Sequence, residues 1–247
     1  LADALAPDPL VDLNTVLATG VLAIRVAPGT DLGATPVHLR LAGSGRPDAA
    51  QPRLLVGVGA GSRLALVVEH DGSPGVLANS VTQAWVAPDG HLELVRAQCL
   101  PDDARLLDTG RVELAAGASA RVTSIDLGAA LSRQAFTVVL AGPGASATID
   151  GLSLADGDRH LHNRTRVEHR ASATTSRETF RGIADGNGRG VFNGSIVVLP
   201  GAAGSNAELS NRNLLLAATA EIDTKPELEI YVDDVRCSHG ATTGQLD

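Results

Sequence analysis

Hydrophobic and polar positions alternate in short runs along most of this chain. Leu64-Ala65-Leu66-Val67-Val68, Leu92-Glu93-Leu94-Val95, Ala120-Arg121-Val122-Thr123-Ser124-Ile125 and Ala147-Thr148-Ile149-Asp150-Gly151-Leu152 show it most clearly. A period of two residues is the mark of a strand with one face buried. Each run follows a small-residue turn: Gly59-Ala60-Gly61-Ser62, Pro88-Asp89-Gly90-His91, Ala116-Gly117-Ala118-Ser119 or Pro143-Gly144-Ala145-Ser146. The spacings from Gly61 to Gly90, Gly117 and Gly144 are 29, 27 and 27 residues, and Pro200-Gly201-Ala202-Ala203-Gly204-Ser205 restarts the pattern. A fixed period of this size without intervening amphipathic helices predicts an all-β chain, a parallel β-helix whose coils stack on one another. An antiparallel sandwich is the alternative, because Asp71-Gly72, Asp89-Gly90 and Asp185-Gly186 would serve as hairpin turns. Residues 1–20 read as a leading segment, the end of an N-terminal helical region, with a short helix from Pro9. The β-helix domain is assigned to 21–247, with coils from about Val21 to Asp234.

Composition favours the solenoid. The chain is 44% hydrophobic but only 2% aromatic and has no Met, so its core must be Leu, Val, Ile and Ala, which suits a narrow interior. The net charge of −8 argues against nucleic acid as a partner. No run approaches the ~18 apolar residues of a membrane span. With no secretory leader at its start and only two Cys, the chain is expected in a reducing cytoplasm, where Asn163-Arg164-Thr165 and Asn193-Gly194-Ser195 match glycosylation acceptors by chance. The missing initiator Met suggests a trimmed start.

Several motifs carry candidate chemistry. Gly57-Val58-Gly59-Ala60-Gly61 and Gly186-Asn187-Gly188-Arg189-Gly190 have no Lys-Ser/Thr after them, which excludes a P-loop and leaves ordinary turns. His160, His162 and His169 lie near Glu168 and would make a three-His metal site, or else a polar strand face laced with Arg. Four nearby Arg would repel a cation. Glu227, Glu229 and Asp233 alternate with Leu228, Ile230 and Val232, a half-buried strand with an acidic face. Cys99 reads as a small buried hydrophobe. Cys237 and His239 are two residues apart, so a strand would aim both at one face. A thiolate and an imidazole there suit iron or zinc, and a packed core position is the competing reading. Iron–sulfur clusters take mostly thiolate ligands, usually four. With two Cys in all, any cluster here must borrow ligands from another chain.

Specific phrases resemble a known family. They are Asn211-Arg212-Asn213-Leu214-Leu215-Leu216, Ala220 through Ile230, and Asp233-Asp234-Val235-Arg236-Cys237-Ser238-His239-Gly240-Ala241-Thr242, with Val191-Phe192-Asn193-Gly194, Asn163 through His169 and, more loosely, Pro9 through Asn14. These resemble the SufB/SufD family of the SUF iron–sulfur cluster assembly system. Arg212, where SufB carries Cys, and Gly240, where SufB carries Glu after the His, favour the SufD branch. The resemblance implies a right-handed parallel β-helix and a non-enzymatic scaffold subunit. It implies pairing with SufB, and binding of the ATPase SufC through helices that normally follow the β-helix. It places Cys237 and His239 at the SufB–SufD interface as candidate ligands of a nascent cluster, held transiently in the complex and not as a cofactor of the isolated chain. The chain stops at Gln245-Leu246-Asp247, so that C-terminal helical domain is expected to be absent. Without SufB, a homodimer is expected. A β-helix enzyme acting on polysaccharide and a purely structural solenoid are the alternatives. The first is weakened by a single Trp and a single Tyr for stacking sugar.

Overall fold

The computed structural model describes residues 8–43 and 49–246. One helix, α1 (Pro9–Leu17), precedes seventeen strands. These are β1 (Leu22–Val26), β2 (Asp31–Gly43), β3 (Ala49–Ala50), β4 (Arg53–Val58), β5 (Arg63–Gly72), β6 (Leu77–Val86), β7 (His91–Gln98), β8 (Arg105–Leu114) and β9 (Ser119–Asp126). They continue as β10 (Leu131–Leu140), β11 (Ser146–Ala155), β12 (His160–His169), β13 (Thr175–Ala184), β14 (Arg189–Val198), β15 (Asn206–Leu215), β16 (Glu221–Ile230) and β17 (Arg236–Gln245).

From β4 onward, even-numbered strands belong to one sheet, ordered β1-β4-β6-β8-β10-β12-β14-β16, with β3 paired to β6. Odd-numbered strands form the other, ordered β2-β5-β7-β9-β11-β13-β15-β17. Every pairing is parallel, from Leu22↔Leu54 at one end to Leu215↔Gln245 at the other. Parallel strands need a long crossover. Here the crossover is a strand of the opposite sheet, which makes a β-solenoid and removes the antiparallel sandwich from consideration.

Register stacks like positions into columns. Leu64, Leu92, Ala120, Ala147, Ser176, Ala207 and Cys237 form one inward column. Leu66, Leu94, Val122, Ile149, Glu178, Leu209 and His239 form the next. Leu64, Leu92, Leu66 and Leu94 are essentially inaccessible, and each such side chain stabilises the fold by about 1.5–3 kcal/mol.

The turns from the first sheet to the second also stack. Gly61, Asp89, Gly117, Gly144, Ala173, Gly204 and Asp234 all have positive φ. The amides of Gly61, Asp89 and Gly117 donate to Pro88 O, Ala116 O and Pro143 O of the next coil, each at 3.0 Å. The left-handed position is therefore Asp89 and not its neighbour Gly90, and the true repeat runs 28, 28, 27, 29, 31 and 30 residues. The coil at Ala173 carried no glycine signal. Asp234 does not end the solenoid, because it is one more turn of this column and β17 follows it.

The interior is not purely aliphatic. Its other half holds a buried polar seam of His70, Arg96, Asp108, Gln98, Asp126 and Asn163. Arg96 pairs with Asp108 and lies 4.8 Å from the centroid of the Phe136 ring. Burial opposes the charge of Asp108, but Arg96 and His70 hold its carboxyl well below the usual range. The seam was legible in principle, since Gln98 and Asp126 share the parity of Leu94 and Val122.

Helix α1 is anchored from both sides. The Asp8 side chain accepts from Leu10 N at 2.9 Å, and Pro9 opens the helix. Asn14 Nδ2 donates to Asn79 O at 2.7 Å, while Asn79 Nδ2 donates to Leu10 O at 2.9 Å.

Candidate ligand site on the terminal coil

Strand β17 is the last strand of its sheet, in register with β15. Cys237 pairs with Ala207 and His239 with Leu209. In a parallel ladder, paired residues point to the same side of the sheet, so both side chains take the inward direction of their columns. Among the described residues no further coil stacks on them. Cys237 is half-buried and packs against the main core cluster, while His239 is exposed. A strand rise of about 3.3 Å per residue separates the two Cα atoms by roughly 7 Å. One metal centre is within joint reach of both. Burial pushes the Cys237 thiol above its ordinary pKa. A neutral thiol needs a cation to release its proton, which is what a soft metal ion does on binding.

Beside this face the interior turns polar. Asn211 and Asn213 exchange side-chain amide hydrogen bonds of 3.1 and 2.6 Å, and Thr224 Oγ1 donates to Asn211 Oδ1 at 2.8 Å.

The other sequence candidates separate. His160 and His162 share the outer face of β12, whereas His169 points inward and is fully buried. His169 Nδ1 lies 2.8 Å from Thr174 Oγ1 and Nε2 lies 2.9 Å from Ser176 Oγ, and burial lowers its pKa to about 4. The three histidines therefore share no site. Among the described residues, no group of three or more His, Cys, Asp or Glu is placed to hold a metal ion.

Glu227 and Glu229 lie on the outer face of β16, where Lys225 reaches Glu227 at 2.7 Å and the Tyr231 hydroxyl donates to Glu229 at 3.1 Å. Asp233 lies in the turn beyond the strand. Cys99 is exposed, contrary to the expectation of a buried hydrophobe, because it follows the end of β7 in a turn.

Sequence reasoning did not reach Glu178, the inward residue one coil below Leu209. It is 1% exposed, and neither carboxylate oxygen has a hydrogen-bond partner. Burial raises its pKa to about 7. The available signal was a Glu at the parity of Phe180 in its own strand.

Fold and face together define a parallel β-solenoid in which strand β17 offers a thiol and an imidazole that no further coil covers among the described residues. Residues 40–247 match the family model described as SUF system FeS cluster assembly, SufBD core domain. The chain belongs to this family. It is 40% identical to the iron–sulfur cluster assembly protein SufD of Escherichia coli over 134 residues, covering 54% of this chain and 32% of that protein. A SufBD family protein of Synechocystis is 27% identical over 250 residues, covering 96% and 54%. One from Mycobacterium leprae is 29% identical over 234 residues, covering 91% and 59%. The chain thus spans between about a third and three fifths of the length of these curated relatives. No helix among the described residues is long and apolar enough to cross a membrane.

Proposed function

We propose that this chain is a non-catalytic scaffold in iron–sulfur cluster assembly, and that Cys237 and His239 supply part of the ligand set for a nascent cluster. The observation that carries this reading is the occupancy of the two inward columns. The coil beneath places Ala207 and Leu209 in the core, and the next coil, uncovered among the described residues, carries a thiol and an imidazole above them. A lone pair of ligands cannot hold a cluster that usually takes four. The remaining ligands come from a partner docked on this end. The sister subunit SufB is that partner, and the ATPase SufC joins through segments outside this chain. Strands β16 and β17 each have one edge unpaired among the described residues, and an open edge is a template for a partner strand. In the absence of SufB, a second copy takes that position. The work of the complex falls in the cytoplasm.

Reconstitution of the SufB–SufC–SufD complex with iron and sulfide, followed by absorption and Mössbauer spectroscopy, tests the reading. Cys237→Ala and His239→Ala should leave assembly intact and cut cluster yield at least several-fold. Normal yield per folded complex in both variants would remove the ligand role.

A further inference from the structure

Four basic side chains meet on the outer face of the first sheet: Arg133 on β10, and His160, His162 and Arg164 on β12. Arg133 is in register with His162, while Leu131 and Ala135 pair with His160 and Arg164. Neighbouring strands lie about 4.8 Å apart, and successive same-face residues about 7 Å apart. Arg133 therefore lies beside the middle of a three-residue basic row and within side-chain reach of both ends.

Several other arginines on this face have carboxylate partners. Arg111 reaches Glu113 at 3.1 Å, Arg166 reaches Glu168 at 2.8 Å, and Arg189 reaches Asp223 at 2.7 Å. Arg164 is exposed and makes no ion pair among the described residues. Among the described residues Arg133 has only Asp8, at 3.8 Å, and its buried Nη1 has no hydrogen-bond partner.

His162 Nε2 lies 3.2 Å from Asn193 Nδ2. An amide donating there assigns the ring proton to Nδ1 and leaves the imidazole neutral. Burial, then the charges of Arg133, His160 and Arg164, hold its pKa below the ordinary histidine value. This is the segment where a three-His cation site could be read from the sequence. Its charge is the wrong sign for a metal and the right sign for an anion. Guanidinium groups offer paired N–H donors that match the oxygens of phosphate, and imidazole N–H groups add single donors.

We propose that Arg133, His160, His162 and Arg164 form a binding site for a phosphate-class oxyanion, taken free or as the phosphomonoester of a small molecule. Asp8 tempers the site by offsetting part of the charge of Arg133. The site lies on the outer face of the sheet, on strands other than the one that carries Cys237 and His239, so it stands or falls separately from the cluster reading.

The test is titration of the 247-residue chain at low ionic strength with inorganic phosphate and, in parallel, with adenosine monophosphate, followed by amide NMR and calorimetry. Saturable binding with shifts centred on His162 and Asn193 is expected. Arg164→Gln, a change at an exposed position, should weaken it at least tenfold, and Asp8→Asn should strengthen it. Arg189→Gln should leave it unchanged, because Asp223 and Glu221 already occupy that guanidinium. Tighter binding of the nucleotide identifies a phosphomonoester as the natural form, and equal affinity identifies the free anion. Non-saturating shifts, an Arg164→Gln variant that binds like the parent, or an equal loss in Arg189→Gln would each overturn the proposal.

Discussion

His239 stands in register with Leu209 on the adjoining strand, and so occupies the inward column that Leu66, Leu94, Val122 and Ile149 fill in earlier coils. Its exposure comes from the lack of a further coil over it among the described residues and not from its direction. His239→Ala should therefore change unfolding free energy by less than about 0.5 kcal/mol, the range of surface substitutions. Cys237→Ala should cost somewhat more, about 1 kcal/mol, because the thiol packs on the core. Urea unfolding of both variants checks this. A loss of 3 kcal/mol at either position would mark it as a packing residue.

Glu178 sets one pH dependence. Its pKa rises from 4.5 unfolded to about 7 folded, so the native state binds the extra proton between those values. Stability is full at low pH and falls as pH rises from about 4.5 to 7, by about 3 kcal/mol in the limit. Glu178→Gln should match the parent near pH 4.5 and exceed it near pH 8. Denaturant midpoints at both pH values decide the matter, and a variant no more stable at pH 8 would contradict it.

His169 sets the opposite slope. Its pKa falls from 6.5 to about 4 through burial, so the unfolded state binds the extra proton and stability is lost as pH falls from about 6.5 to 4. Between pH 4.5 and 6.5 the two groups oppose each other, and Glu178→Gln should uncover the His169 slope. His169→Ala should cost about 2–4 kcal/mol at pH 7, from the cavity and from the Thr174 and Ser176 hydroxyls left without their ring partner. Thermal unfolding against pH reads both effects.

The isolated chain should not retain a cluster. Cys99 follows β7 and Cys237 is the second residue of β17, five strand steps away in the same sheet. At about 4.8 Å per step that is roughly 24 Å, far beyond a shared cluster or a disulfide. Anaerobic reconstitution of the monomeric chain should yield no stoichiometric, chelator-resistant cluster. A stable one would show that the chain alone suffices.

Self-association should depend on the terminal coil. Light scattering of the isolated chain should show a dimer at high concentration, and Thr243→Pro on β17, whose N–H faces away from β15, should shift it toward monomer by removing an edge donor. A strict monomer at high concentration would count against edge pairing.

The sequence by itself determined the repeat, the strand faces and the choice of a stacked solenoid, because side-chain alternation and left-handed turns are local properties. It also placed Cys237 and His239 on one face, since i and i+2 positions of any strand share a face. Where a turn lacked glycine, as at Ala173, the local signal was silent and the hydrogen bond from its amide to Ala203 O in the next coil completed the turn. The tertiary structure alone decided what each face meets. It put His169 inside and His160 and His162 outside, buried Glu178 without a partner, and gathered His70, Arg96 and Asp108 from different coils into one seam. It also left Cys237 and His239 uncovered among the described residues. Register between strands about 30 residues apart sets these contacts, and no local pattern encodes that register.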